Sequence, residues 1–330
     1  MKFVVIGLGS MGQRRVRLLQ QYFASENRTD WSVCGVDMNA KRCASAKEKW
    51  GLQTFSSIQE AVEAFQPDAA VVSTSPMAHA AIISECLQHD LHVFTEINLV
   101  ADGYVENMKL AEEKGKVLFL SSTPMYRKEM QFITEKVKAC KLPGCYHYHI
   151  GQYLPEWHPW ESYKNFFVSK KRTNACRELF AIELPWLIDA FGEIVSCQAV
   201  HNKSTALELD YDDTYQVILR HASGFVGNLN IDVSTPKAGR EFEAWSEHFY
   251  VEWKGVPESL QLWDAGEKKL QPISLYEDVE HQEGYNSFVI ENEYYDELAE
   301  YIAVIEGRQQ PRYSFAKDLK TLKLIDTIES

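Results

Sequence analysis

The sequence is short of anything that would tie the chain together by cysteine. Its seven cysteines are odd in number and spread over 330 residues without a Cys-x-x-Cys pair. That argues against a disulfide frame and for small buried hydrophobes in a reducing compartment. Long apolar runs are also absent, and none approaches the length of a membrane span. The chain enters its first strand at Lys2-Phe3 with no preceding charged, apolar and small-residue succession, so a cytoplasmic protein is expected. Positive charge is scarce. Forty-seven acidic residues against 34 Lys and Arg give a net charge of -13, a field that repels phosphate backbones and anionic lipid. No basic cluster offsets it, so neither nucleic acid nor a membrane surface is an expected partner. No internal repeat, coiled-coil heptad or low-complexity tract is present. What remains is an ordinary globular composition, 45% hydrophobic and 25% charged, in a chain long enough for two domains.

The most informative stretch is Val4-Val5-Ile6-Gly7-Leu8-Gly9-Ser10-Met11-Gly12, an apolar run that breaks into G-x-G-x-x-G and leads into a helix-like segment from Gln13 to Phe23. Gly7 suits a tight turn, Gly9 a close approach of backbone to a pyrophosphate, and Gly12 close packing of helix on strand. The turn residues Ser10, Met11 and Gly12 lead into that helix, whose start aims N–H groups and the positive dipole end at phosphates, so they are expected to touch the cofactor. A second apolar run, Ser32 to Val36, ends in Asp37, where such a unit places the carboxylate for the adenosine ribose. Asp37 favours NAD over NADP by repelling a 2'-phosphate, although Lys41 and Arg42 lie just beyond. The competing assignment, glycines for a turn and Asp37 as a helix cap, does not account for the strand before and the amphipathic segment after.

Farther along, Asn39 can cap a helix through Lys41 to Trp50, and Ser57-x-x-Glu60 is a capping box for the next, which Pro67 stops. Ala69 to Thr74 reads as a fully buried strand, its apolar run being what a parallel sheet covered on both faces requires. Helix Met77 to His89, strand Leu91 to Thr95, helix Asp102 to Lys114 and strand Lys116 to Ser121 continue a β-α alternation that predicts strand order 3-2-1-4-5-6. Ser73, Thr74, Ser75 and His79 fall at the carboxyl end of a strand, where dinucleotides lie. The expected fold class is α/β, with a Rossmann doubly wound parallel sheet over residues 1–122. An α+β domain over 123–330 is expected to follow, with a large, mainly antiparallel sheet and its helices on one face. In it, a helix from Tyr126 to Lys138, a strand from Tyr146 to Tyr153 and a helix from Cys176 to Phe191 precede four strands. These are Ile194 to Lys203, Asp213 to His221, Phe225 to Val233 and Glu241 to Trp253. Helices Ser287 to Glu306 and Ala316 to Glu329 end the chain.

The residues Val4 to Arg15, Asp68-Ala-Ala-Val-Val-Ser-Thr-Ser-Pro76 with His79, and His92-Val-Phe-Thr-Glu96 resemble the Gfo/Idh/MocA oxidoreductases. That resemblance implies a nicotinamide dinucleotide and hydride exchange with a sugar, sugar acid, inositol or nucleotide-sugar. It also implies a homodimer or homotetramer built through the C-terminal sheet, and places Glu96 near the nicotinamide ribose. Gln152 to Tyr163 is similar to a loop of members in surface-polysaccharide and sialic-acid-like sugar pathways. Two departures stand out. Where the family has Glu-Lys-Pro, this chain has Glu96-Ile97-Asn98. Where members carry an acid and, four residues on, a histidine ahead of a glycine, counting from Gly192 puts Glu178 and Ile182, or Glu183 with a one-residue slip.

Oxidation of an alcohol needs a group to take the hydroxyl proton. With Ile97 and Ile182 at the usual positions, the candidates are His158, Glu178 and Glu183. Tyr126, Arg127, Trp157, Trp160 and Arg177 are expected to complete a substrate wall, the tryptophans by stacking on a sugar face. Glu178 and Glu183 sit in an apolar helix and need a partner or a function, Arg177 and Arg127 being the expected ion pairs; a solvated helix edge is the alternative for both. His158 could equally be a satisfied structural histidine. Cys145, His147 and His149 share one strand face, but i, i+2 spacing without a further ligand reads as a half-exposed strand, and no metal is expected. Two classes of function follow. One is a sugar-type dehydrogenase with a reassigned proton-transfer group. The other is a dinucleotide-binding protein without net redox turnover, a sensor, an assembly partner or a non-redox carbohydrate enzyme with tightly bound NAD.

Overall fold

The computed structural model describes residues 1–157, 161–282, 286 and 288–330. Two compact units emerge, Met1–Ser121 with Tyr294–Lys320, and Ser122–Glu293 with Thr321–Ser330. The sequence expectation had assigned everything after Ser122 to the second domain, but Tyr294–Lys320 groups with the first unit. The reason is visible at Tyr301. Its ring meets those of Phe94 and Phe119, each at 5.5 Å, and its hydroxyl donates to the Ala70 carbonyl.

The first unit holds strands β1 (Lys2–Ile6), β2 (Ser32–Val36), β3 (Gln53–Phe55), β4 (Ala69–Val72), β5 (His92–Thr95) and β6 (Leu118–Leu120). They form one parallel sheet in the order β3-β2-β1-β4-β5-β6, the order the β-α alternation predicts. The central strand β4 is buried along its whole length, as its apolar run requires. Helices α1 (Ser10–Ser25), α2 (Ala40–Trp50), α3 (Ile58–Phe65), α4 (Pro76–Gln88) and α5 (Tyr104–Lys114) connect the strands. The Asn39 side chain accepts from Lys41 N at 3.0 Å to start α2. Ser57 accepts from Glu60 N at 3.2 Å, while the Glu60 carboxylate reaches back to Ser56 N at 3.0 Å. Both caps were legible from residue type and spacing.

In the second unit, α6 (Lys128–Lys138), β7 (Cys145–Gly151) and α7 (Ala175–Phe191) precede β8 (Ile194–Asn202), β9 (Thr214–His221), β10 (Val226–Asp232), β11 (Gly239–Ser246), β12 (Phe249–Trp253), β13 (Gln261–Asp264) and β14 (Lys269–Pro272). The eight strands form one sheet in the order β14-β13-β12-β11-β7-β10-β9-β8. Its pairings are antiparallel except β7 with β10. Parallel neighbours need a long crossover, and the chain between β7 and β10, which includes α7, supplies it. The segment from Glu241 to Trp253, expected as one strand, is a hairpin of β11 and β12. It reverses at Glu247 and His248, which carry none of the usual turn residues. The short strands β13 and β14 were not anticipated.

One face of this sheet packs on helix α7. Trp186 of α7 meets Tyr148 of β7 and Phe242 of β11 edge-on, at 5.5 and 5.4 Å. On the opposite face, His147, Glu243, Trp245, Tyr250, Ile218 and Val200 are half-buried or exposed, so the strands alternate apolar-in and mixed-out. Helices α8 (Asn292–Ile305) and α9 (Phe315–Ile328) each contribute residues to both units.

Candidate functional site

In the first unit the turn after β1 and the ends of β2, β4 and β5 are stitched together. Gly7 N donates to Val36 O at 2.8 Å, Ser73 N to Ile6 O at 2.8 Å and Glu96 N to Val72 O at 3.0 Å. Gly7 has φ of 89°, and a Cβ on it would stand 2.5 Å from Ser73 O. A Cβ on Gly12 would lie 1.7 Å from Gly7 O, so no side chain fits where α1 crosses the turn. Gly9 is different, with nothing nearer than the Arg42 guanidinium at 3.9 Å. Two of the glycines are therefore dictated by the fold itself, while the fold leaves room for a side chain at Gly9. Helix α1 starts at Ser10, Met11 and Gly12 after Gly9, and no side chain caps it. Such an end presents N–H groups and partial positive charge to an anion.

Asp37 folds back onto this turn. One carboxylate oxygen accepts from Leu8 N at 2.8 Å, the other from Asn39 N at 2.7 Å, and Arg42 Nη1 stands 3.7 Å away. A carboxylate oxygen has two lone pairs, so each retains room for a ribose hydroxyl. Glu96 is held by Arg15, whose Nε and Nη2 lie 2.7 and 3.1 Å from its two oxygens; Ser73 Oγ is 3.5 Å from Glu96 Oε1. Arg15 is fully buried and also bonds Glu297 at 2.7 Å, which accepts from Ser121 Oγ at 2.9 Å. Its face packs 4.5 Å over the Phe94 ring. Burial opposes the Arg15 charge, but the two carboxylates outweigh it and hold its pKa above the ordinary arginine value.

His79 is buried on α4, with Nε2 3.0 Å from Thr74 O and Nδ1 2.6 Å from the Asn98 amide. Burial depresses its pKa, so the ring is neutral. Thr74 Oγ1 is enclosed and bonds no protein group, and Ser75 begins α4 as its N-cap without a side-chain bond. Gly7, Gly9, Ser10, Met11, Gly12, Asp37, Ser73, Thr74, Ser75 and Glu96 are thus gathered by the carboxyl ends of adjacent strands, with His79 beneath them. Arg15 and Asn98 were missed. Arg15's signal was a charge on the apolar side of a helix, next to Val16 and Leu19.

The second-unit candidates do not form one constellation. Glu183 accepts from Tyr148 Oη and Trp186 Nε1, each at 2.8 Å, and from Arg240 Nε at 2.9 Å. The ion pairs expected for the two glutamates are corrected here. Glu183 pairs with Arg240, while Arg177 pairs with Asp326 and Glu329. Arg127 pairs with Glu129 at 3.1 Å, donates to the carbonyls of Phe288 and Gly255, and lies 4.9 Å over the Trp253 ring. Local spacing cannot show such partners, because Glu183 and Arg240 are 57 residues apart.

Glu178, one turn into α7, is half-buried, and its Oε2 is enclosed without a partner. Burial alone pushes its pKa up to about 8. Tyr126 is buried, and the Trp157 indole donates to Gln152 O at 3.2 Å. His158 and Trp160 lie outside the described residues. On β7, His147 lies 5.3 Å from the Trp245 ring and His149 Nε2 bonds Asp232 at 2.7 Å. Among the described residues no group of three or more His, Cys, Asp or Glu is placed to hold a metal ion. No described helix is long and apolar enough to cross a membrane.

With this geometry in view, the likenesses to known proteins can be placed. Residues 1–122 match the model of the Gfo/Idh/MocA family, an oxidoreductase family with an NAD-binding Rossmann fold. No curated protein matches the chain in sequence. Among solved structures, UDP-N-acetylglucosamine 3-dehydrogenase GnnA from Acidithiobacillus ferrooxidans is 16% identical with a TM-score of 0.74, covering 100% of this chain and 96% of its own. The WlbA dehydrogenase from Bordetella pertussis, in complex with NADH and UDP-GlcNAcA, is 17% identical with a TM-score of 0.77, covering 99% and 95%. An oxidoreductase from Agrobacterium radiobacter, in complex with NAD+, L-tartaric acid and magnesium, is 11% identical with a TM-score of 0.80, covering 99% and 94%. At these identities the likeness is one of fold.

Proposed function

We propose that the chain is an NAD-dependent oxidoreductase of a sugar, sugar acid or nucleotide-sugar, acting at a hydroxyl or carbonyl carbon. The observation that carries the reading is the glycine turn. Gly7 and Gly12 are compelled by packing, but the openness above Gly9 and the uncapped start of α1 leave a cradle that suits a pyrophosphate. Asp37 would take the ribose diol, and Thr74 Oγ1, enclosed without a protein partner, is a further group that a bound nicotinamide half could engage. The dinucleotide, when bound, supplies hydride exchange. The chain's own residues must place the substrate and move a proton.

For the proton we propose Glu178 over Glu183. Three of the four lone pairs of Glu183 are committed, to Tyr148, Trp186 and the Arg240 guanidinium. Glu178 has an enclosed, unpartnered oxygen and a pKa near 8, so it can both hold and release a proton near neutrality. Ile97, following Glu96, gives the second reading its support, since an apolar side chain there can neither donate nor accept. In that reading NAD stays bound and never exchanges. The mixed outer face of the second sheet, with Val200 76% exposed, suits assembly as a homodimer or homotetramer.

The test is NADH absorbance with a panel of nucleotide-sugars, sugar acids and inositols, alongside titration of NAD and NADP. Reduction of added NAD supports the dehydrogenase, whereas non-exchanging bound NAD supports the second reading. Asp37→Ala is expected to weaken NAD binding by about 1–3 kcal/mol. Equal NAD affinity of variant and parent, or a parental preference for NADP, removes the Asp37 assignment.

A further inference from the structure

The second unit contains a cavity of about 350 Å³ lined by Lys171, Asn174, Lys203, Leu209, Asp210, Tyr211, Asp212, Tyr215 and Glu329, which no part of the reading above uses. Its floor is rigid. Asn174 caps α7 by accepting from Arg177 N at 2.7 Å and donates to Glu329 Oε1 at 2.6 Å. Tyr211 Oη donates to Val168 O at 2.8 Å. The loop forming one wall is stapled by Asp213, whose carboxylate accepts from the backbone N–H and hydroxyl of both Ser204 and Thr205. A cavity built this way need not reorganise to bind.

Its lining sets what could occupy it. Lys171 and Asp210 are exposed, and neither side chain has a partner among the described residues. Lys203 Nζ spends one N–H on Leu209 O at 2.6 Å, and Asp212 Oδ2 engages His201 at 2.6 Å, leaving N–H groups and an oxygen over. The Tyr215 ring is backed by His201 at 5.1 Å. Two ammonium groups against Asp210, Asp212 and Glu329 disfavour an anion, and the same ammonium groups disfavour an isolated cation. An apolar guest would strand every one of these groups. Hydroxyls both donate and accept, so neighbouring hydroxyls on one ring can take Lys N–H and give to Asp oxygens together. The volume lies at the small end of ligand pockets and is enough for one sugar ring.

We propose that this cavity is a binding site for a neutral, polyhydroxylated ring of monosaccharide size. The inference depends on neither NAD binding nor redox turnover. It is tested on the full chain by calorimetric titration of glucose, N-acetylglucosamine and myo-inositol against glucuronate and glucose 6-phosphate, with and without NAD. Neutral ligands are expected to bind at least tenfold more tightly than the anionic ones. Lys171→Met and Asp210→Asn, both at exposed side chains whose loss leaves no group unpaired, should each weaken them at least fivefold, with parental melting temperature and NAD affinity. The proposal is overturned if no neutral ligand binds at tens of millimolar, if the anionic ligands bind as well, or if both variants bind like the parent. A chain that binds no NAD yet binds neutral sugars at this cavity refutes the cofactor reading and leaves this one standing.

Discussion

The glycine turn of the first unit and the buried acids around α7 in the second solve opposite problems. At the turn, backbone must come close to backbone, and the answer is to remove side chains, so Gly12 sits where a Cβ would strike Gly7 O. Around α7, charge must be kept away from water, and the answer is to add partner side chains, three of them at Glu183. The first arrangement is a property of neighbours in sequence. The second joins β7, α7 and β11, which only the folded sheet brings together. Among the enclosed polar atoms left out of both solutions are Thr74 Oγ1 and Glu178 Oε2, each at a position the proposed chemistry would use.

The comparison breaks most visibly if Glu183 is removed. Glu183→Ala would leave the half-buried Arg240 without its carboxylate, together with the buried Tyr148 hydroxyl and Trp186 indole. A loss of about 3–5 kcal/mol is expected in urea unfolding. A loss under about 1 kcal/mol would mean the network is not holding the unit, and would return Glu183 to the list of reactive groups. Gly12→Ala comes next. A methyl group 1.7 Å from a carbonyl oxygen cannot be absorbed by a rotamer, so α1 must shift, at a cost of about 3 kcal/mol and with loss of NAD binding. Parental stability in this variant would refute the close-packing account of that glycine.

The same contrast explains what the sequence could show. The order of the parallel sheet, the capping roles of Asn39 and Ser57, and the glycine turn rest on spacing and residue type within a few positions. They are as readable in the chain as in the fold. Arg15 with Glu96, Arg240 with Glu183 and Arg177 with Glu329 join residues 57 to 152 positions apart. Amphipathic periodicity says only that such a charge is buried, never which partner meets it. The β11–β12 reversal failed for a related reason, since Glu247-His248 has no turn chemistry and is dictated by the pairing of the flanking strands. Helix α8 was seen as a helix but assigned to one domain, because nothing in its own residues tells that Tyr301 packs on Phe94.

Glu178 sharpens the comparison at intermediate cost. Its carboxyl is protonated in the fold up to about pH 8, whereas the unfolded chain ionises it near the ordinary value of 4.5. The folded state therefore holds more protons between those values, and stability is fully present below the lower one and lost as pH rises through the upper. Glu178→Gln is expected to flatten that fall and to stabilise the protein by about 1 kcal/mol or more above pH 8. Glu293, also raised to about 8 chiefly by burial, supplies the slope that remains. An unchanged pH profile in Glu178→Gln would show that the carboxyl is solvated, and would remove the ground for choosing it as the proton carrier.

The smallest effect on stability is the most discriminating. Gly9 shares its motif with Gly7 and Gly12, but a Cβ there meets nothing closer than a flexible guanidinium at 3.9 Å, and its φ of -71° suits any residue. Gly9→Ala should change unfolding free energy by less than about 0.5 kcal/mol, the range of substitutions that disturb no packing. If the space above Gly9 exists for a pyrophosphate, the added methyl group intrudes where backbone and phosphate must approach, and NAD affinity should drop at least tenfold. Parallel measurement of thermal unfolding and NAD titration in Gly9→Ala and Gly12→Ala then separates the glycine the fold needs from the glycine the ligand needs. Were Gly9→Ala to bind NAD like the parent at full stability, the motif would be a folding device alone, and the cofactor cradle would have to be sought elsewhere.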